Sequence, residues 1–130
     1  MTLGMPVVQW EKGTWGSLLA GGSRKEGGLE YRIVPGDEGR AVVYCVGRMT
    51  LPTQAGFARI ADDMRAAGNR DWHFDLTDVE FIDSAGMWML LMVRSVAKEL
   101  GGQLSISGAS GQVAKALDLA SFEDVIRTEA

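Results

Sequence analysis

Residues 74–86, FDLTDVEFIDSAG, constrain the fold of this chain more than any other stretch. Apolar and polar residues alternate over 72–76, which predicts a strand. Residues 77–80, TDVE, predict a short acidic loop. Asp83, Ser84, Ala85 and Gly86 then stand at the start of a helix. The run that follows, Met87, Trp88, Met89, Leu90, Leu91, Met92 and Val93, is apolar on every side. A strand delivered through a short turn into a helix is the building unit of an α/β layer structure. It also places the Ser84 hydroxyl at the positive end of a helix dipole, beside amide hydrogens that have no helical partner. A covalently attached phosphate is best tolerated at such a point.

The flanking sequence supplies the rest of the layers. Leu29, Tyr31 and Ile33 alternate with Glu30 and Arg32, as in a half-buried strand. The turn PGDEG at 35–39 follows, and 41–46, AVVYCV, reads as a strand covered on both faces. The short connection makes these two strands an antiparallel hairpin. Pro52 suits a first helical turn, and Phe57, Ile60, Ala61, Met64 and Ala67 fall on one helical face. Gly68 and Asn69 stop that helix. The strand at 72–76 comes after a helical crossover and is expected to run parallel to its predecessor. The apolar helix, spanning about residues 86–100, ends at Gly101 and Gly102, and 103–107, QLSIS, gives a fourth strand. Val113, Ala114, Ala116, Leu117 and Ala120 give a short third helix, and Phe122, Val125 and Ile126 a last apolar patch. The expected fold is α/β, with a mixed four-stranded sheet that begins in an N-terminal hairpin and carries three crossover or C-terminal helices.

Residues 1–28 are different in kind. They hold seven of the 17 glycines, and residues 20–28 read as a linker. The organisation expected is an N-terminal arm and linker, 1–28, then one domain, 29–130. Trp10 and Trp15 in the arm fit docking on the domain's own surface or on a partner.

With 130 residues the chain has room for one core. Its net charge of −4 and the lack of a basic stripe argue against nucleic acid. One cysteine, Cys45, rules out an internal disulfide, fits a cytoplasmic setting and reads as a buried strand residue. No apolar run reaches the ~20 residues of a membrane span, so direct membrane insertion is not expected. The N-terminus lacks a signal-peptide pattern.

Two readings of Ser84 follow from the residues alone: a helix N-cap, or a phosphoacceptor modified by another protein. Asp75, Asp78, Glu80 and Asp83 read as a solvated acidic cluster near a sheet edge, with spacing that matches no calcium loop, and no metal or cofactor is expected. His73 lies far along the strand from Ser84 and there is no G-x-S-x-G elbow, so a serine hydrolase is not supported and the chain reads as non-enzymatic. Along the helix, Leu90, Val93, Ala97 and Leu100 can face the sheet. Trp88, Met92, Ser95 and Glu99 then form an outward line, with an apolar start suited to docking or to cover by another element.

Residues 29–128 resemble a STAS domain, the sulfate-transporter and anti-sigma-factor-antagonist module. Four segments carry the likeness. Val46, Gly47, Arg48 and Met49 resemble a strand ending in G-x-L, and residues 74–86 resemble the signature D-L-x-x-V-x-x-I-D-S-x-G. Gly101, Gly102 and Leu104 resemble the next strand, and Val113, Leu117 and Phe122 the C-terminal helix. Thr50 stands where the family often has aspartate, and Ser121 where a glycine is usual. The resemblance implies a bacterial anti-sigma factor antagonist acting in signal transduction and transcription regulation. Ser84 would be the phosphoacceptor of a partner anti-sigma factor, a serine kinase of the histidine-kinase-like ATPase type, and a phosphatase would reverse the change. It implies a partner surface of Thr50, Asp83, Ser84, Ala85, Gly86, Trp88 and Met92. Stand-alone members of the family also suggest an alternative: a constitutive subunit of an ABC transporter in lipid trafficking, or of a stressosome or chemotaxis-like complex, without phosphorylation.

Overall fold

The structure, a computed structural model, describes residues 24–26, 29–120 and 127–129. The arm with Trp10 and Trp15, and the patch at Phe122, Val125 and Ile126, lie outside the described residues. The strands are β1 (Arg24–Glu26), β2 (Leu29–Pro35), β3 (Arg40–Met49), β4 (Asp71–Ile82), β5 (Leu104–Ser107) and β6 (Arg127–Glu129). The helices are α1 (Gln54–Ala67), entered through a 3₁₀ turn at Leu51–Thr53, α2 (Ser84–Glu99) and α3 (Gly111–Leu119). The strands lie in one sheet in chain order. β2 pairs antiparallel with both β1 and β3, and β3 to β6 run parallel. The expected mixed sheet is β2 to β5. Two three-residue strands extend its edges, and β1 falls within the stretch that the glycines mark as linker.

One core joins one face of the sheet to all three helices. Ile33, Val43, Phe74 and Ile106 stand opposite one another in register across four strands. Phe57, Ile60 and Met64 of α1, Leu90, Val93 and Ala97 of α2, and Val113 and Leu117 of α3 belong to the same cluster. Strands joined by helices in a right-handed sense place those helices on one side, which fits this arrangement. Among the described residues no helix is long and apolar enough to cross a membrane.

One element departs from expectation. Residues 77–80 are not a loop: β4 continues through them to Ile82. Its buried residues change from every second position (Trp72, Phe74, Leu76) to every third (Leu76, Val79, Ile82). Strict alternation therefore stops at Leu76, and a period-2 reading ends the strand there. The pairing with β3 absorbs the difference. Tyr44 and Val46 stand opposite Asp75 and Asp78, and Gly47 and Arg48 opposite Val79 and Phe81, so β4 gains a residue at each shift. Such bulges bend a strand and re-aim its end. Gly47, with φ of 121°, sits at the second shift, where a residue with a side chain would be strained.

Candidate partner-binding site

The parallel strands β3 and β4 end side by side, with Met49 opposite Ile82. Ligand and partner sites on α/β sheets gather at such carboxyl ends. From there the chain enters the 3₁₀ turn on one side and α2 on the other.

Asp83 joins the two. Its extended backbone (φ −112°, ψ −174°) makes it the N-cap of α2. Oδ1 accepts a hydrogen bond from the Gly86 amide at 2.8 Å, and Oδ2 accepts one from the Leu51 amide at 3.2 Å. The Asp83 amide donates to the Met49 carbonyl at 3.2 Å, and the Asp83 carbonyl accepts from the Met87 amide at 3.0 Å. Of the two roles open to Ser84, capping is thus filled by its neighbour. A carboxylate with two oxygens can serve two amides at once, which a serine hydroxyl placed one residue later does not do. Ser84 is the first helical residue and is exposed. Among the described residues nothing accepts from the Ser84 and Ala85 amides.

Gly86 is buried against the end of β3. A Cβ there would overlap the Met49 carbonyl oxygen and come within 2.7 Å of Ile82 Cγ1. The glycine of D-S-x-G is therefore a close-approach glycine, needed for space rather than for an unusual φ.

Around this turn the surface is apolar. Trp88, one helical turn beyond Ser84, is 58% exposed, and Leu51, tied to Asp83 through its amide, is 61% exposed. Met92 is half-buried, and Ser95 and Glu99 continue the outward line of α2. Met89, Leu90, Val93 and Ala97 face the core, so the division of this all-round apolar helix follows the sequence pattern. Glu99 closes the ridge in an ion pair with Arg65 of α1, with Arg65 Nε 2.9 Å from Glu99 Oε2. The hydrogen bond to Arg65 lowers the Glu99 carboxyl below its ordinary range.

The remaining sequence-selected residues lie in different surroundings. Thr50 is 9% exposed. Its amide donates to Thr53 Oγ1 at 3.0 Å, and that hydroxyl donates back to the Thr50 carbonyl at 2.8 Å. Thr50 thus shapes the turn, and Leu51 carries its exposed surface. Ala85 is half-buried. Asp75 lies in the middle of β4, its Oδ1 accepting from the Thr77 amide at 2.9 Å. Glu80 is exposed, and Asp83 is engaged as the cap. The four carboxylates do not converge, because β4 is extended and spreads them along its length. Among the described residues no group of three or more His, Cys, Asp or Glu is placed to hold a metal ion. His73 contacts two serine hydroxyls on β5, Ser105 at 2.7 Å through Nδ1 and Ser107 at 2.6 Å through Nε2. Cys45 is buried, and burial, reinforced by the charge of Asp75, pushes its thiol pKa well up.

Two residues escaped the sequence reading. Leu51 follows a strand and carries no periodic signal. Gln112 of α3 places its carboxamide against the last residue of β4, accepting from the Ile82 amide at 2.9 Å and donating to the Ile82 carbonyl at 2.8 Å.

Comparison with known proteins places this geometry. A family model described as "Mlab, STAS domain" matches residues 34–128. An anti-sigma factor antagonist from Mycobacterium paratuberculosis superposes with a TM-score of 0.66 at 18% identity, covering 77% of this chain and 84% of that one. The Bacillus cell fate determinant SpoIIAA in its phosphorylated form superposes at 0.58 with 12% identity, covering 77% and 91%. A sulfate transporter family protein from Wolinella succinogenes superposes at 0.53 with 20% identity, covering 75% and 80%. Among curated proteins none matches the sequence. At these identities the solved structures speak for the fold alone.

Proposed function

The chain belongs to the STAS domain family, and from that premise we propose that it is a non-enzymatic, protein-binding switch of the anti-sigma-factor-antagonist kind, with Ser84 as its phosphoacceptor. The observation that carries the reading is the division of labour at the start of α2. Asp83 does the capping, and Ser84 stands exposed at the first helical position. A phosphate there would meet the two unpartnered amides of Ser84 and Ala85 and the positive end of the dipole. It would also add charge one helical turn before the exposed Trp88 and next to Asp83, which holds the amide of the exposed Leu51; these two side chains are the apolar part of the partner surface. Thr50, Asp83 and Gly86 shape that surface, and Ser84, Ala85, Trp88 and Met92 present it. The partner is an anti-sigma factor that is also a serine kinase of the histidine-kinase-like ATPase type. A phosphatase resets the switch, and the setting is cytoplasmic. In this reading residues 29–130 are the binding domain and 1–28 an appended arm, which the family match over 34–128 supports.

The test is mass spectrometry after incubation with such a kinase and ATP. Phosphate is expected on Ser84 and is lost in Ser84→Ala. Phosphate at another residue, or a Ser84→Ala protein modified like the wild type, refutes the reading.

A second reading follows from the resemblance to stand-alone members of the family. The same surface would serve as a constitutive subunit contact in an ABC transporter for lipid trafficking, or in a stressosome or chemotaxis-like assembly. There Ser84→Asp leaves partner binding intact, and Trp88→Ala weakens it.

A further inference from the structure

β5 pairs with β4 only from Trp72 to Asp75. Beyond that point, among the described residues, no strand lies beside the backbone groups of β4 that point away from β3, and a strand edge left that way is free to fray. Two side-chain contacts fill the gap. The Thr77 amide is taken by Asp75 Oδ1. At the far end, both backbone groups of Ile82 are taken by the carboxamide of Gln112, 30 residues away in sequence. A primary amide presents its oxygen and one of its two N–H hydrogens to the same side, so Gln112 pairs both backbone groups of Ile82 as a residue of a neighbouring strand would. Its target is the residue immediately before Asp83 and Ser84. Asp83 is held from the β3 side by the Met49 carbonyl, which accepts from its amide, and by the Leu51 amide, which donates to its carboxylate. The turn into α2 is therefore clamped on both sides, and α3 supplies one jaw.

We propose that Gln112 is a positioning residue for Ser84. By completing the hydrogen bonding of Ile82 it fixes the point where β4 gives way to α2, and with it the direction in which the Ser84 hydroxyl is offered. That this matters for phosphorylation rests on the reading of Ser84 given above; the positioning itself does not, and it is measured without a kinase.

The experiment is amide hydrogen exchange on the full chain, residue by residue, each rate corrected for its intrinsic value and compared with wild type at the same pH. Gln112→Ala removes both bonds and is expected to raise exchange of the Ile82, Asp83 and Gly86 amides, all hydrogen-bonded in the wild type, about tenfold, the scale of one to two modest hydrogen bonds. Trp72 and Phe74, paired to β5, should keep their wild-type protection. No rise at Ile82, or an equal rise throughout the sheet, overturns the proposal. Gln112→Glu separates hydrogen bonding from space filling. At pH 8 the carboxylate accepts from the Ile82 amide but sets a second oxygen against the Ile82 carbonyl, so exchange should rise. At pH 4, near the carboxyl pKa, the protonated form supplies a donor again and protection should return toward wild type. A Gln112→Glu protein whose protection relative to wild type does not change with pH overturns the proposal. If these results hold while the wild-type protein takes no phosphate at Ser84, the phosphoacceptor reading fails and the positioning role of Gln112 stands.

Discussion

Gly86→Ala tests the packing that holds the site together. In an exposed helix interior this change stabilises, by about 1 kcal/mol from helix propensity and unfolded-state entropy together. At Gly86 the added methyl would overlap the Met49 carbonyl oxygen and crowd Ile82 Cγ1. The first of these is backbone at the end of a central strand and cannot turn aside as a flexible side chain would. Relief requires the start of α2 to move away from β3 by roughly 1 Å, since dispersion contacts are optimal near 3.5–4.0 Å. That movement stretches the Asp83 amide bond to Met49, at 3.2 Å, and the cap bond from Gly86 to Asp83, at 2.8 Å. Overpacking costs about 1–3 kcal/mol and each weakened hydrogen bond about 1 kcal/mol. Against the gain of about 1 kcal/mol, the net is a loss of about 2–4 kcal/mol. The assay is urea unfolding followed by circular dichroism, where a loss of that size lowers the midpoint by about 1–2 M at an unchanged slope. Ser95→Ala, exposed on the same helix, is the control and should leave the midpoint within a few tenths of a kcal/mol or raise it slightly. A Gly86→Ala protein as stable as wild type would refute the close-approach argument.

Three further outcomes follow from the same geometry. Asp83→Ala should lose about 1–2 kcal/mol of stability, while Asp83→Asn, which keeps the cap bond but cannot accept from Leu51 with its amide nitrogen, should lose less; equal losses in urea unfolding would refute the two-handed role of Asp83. Cys45 should stay silent to a thiol reagent at pH 8 in the folded protein and react on denaturation, because burial raises its pKa; rapid labelling of the native state would contradict this. The Glu99 carboxyl is depressed by Arg65 from its ordinary value of 4.5, so its contribution is present above that value and is lost as pH falls through the lower folded one. The stability difference between wild type and Glu99→Gln should therefore shrink between pH 7 and pH 3, and a difference that grows on acidification would contradict the pair.

What could be read from the chain and what could not divide along the range of the interactions. The hairpin, the helix stripes and the outward line from Trp88 to Glu99 depend on neighbours two to four residues apart, so periodicity carries them. The length of β4 was not legible because its burial changes from a period of two to a period of three, and only the partner strand decides that the extra residues are bulges. The cap was legible as a place but not as a residue. Asp83 and Ser84 are both good caps, and the choice turns on Leu51, whose amide needs the second carboxylate oxygen. Gln112 and the contacts of His73 with Ser105 and Ser107 join residues 30 to 34 apart, and no local spacing encodes them.

The same division at Asp83 and Ser84 explains how a charge could be added without loss of the fold. A phosphate on Ser84 brings nearly two negative charges beside the Asp83 carboxylate. Ser84 is exposed, and at roughly 6 Å and an effective dielectric of roughly 40–80 this repulsion is about 1–3 kcal/mol. The helix end returns about 1 kcal/mol through its partial positive charge, and bonds from the free Ser84 and Ala85 amides offset much of the rest. Both oxygens of Asp83 already accept from amides, which leaves less of its charge facing the newcomer. Folding therefore changes little. Association changes more in the proposed reading, because a partner that covers the start of α2 together with Leu51 and Trp88 must strip water from a dianion. The proposed switch would therefore act on who binds, with the scaffold kept the same in both states.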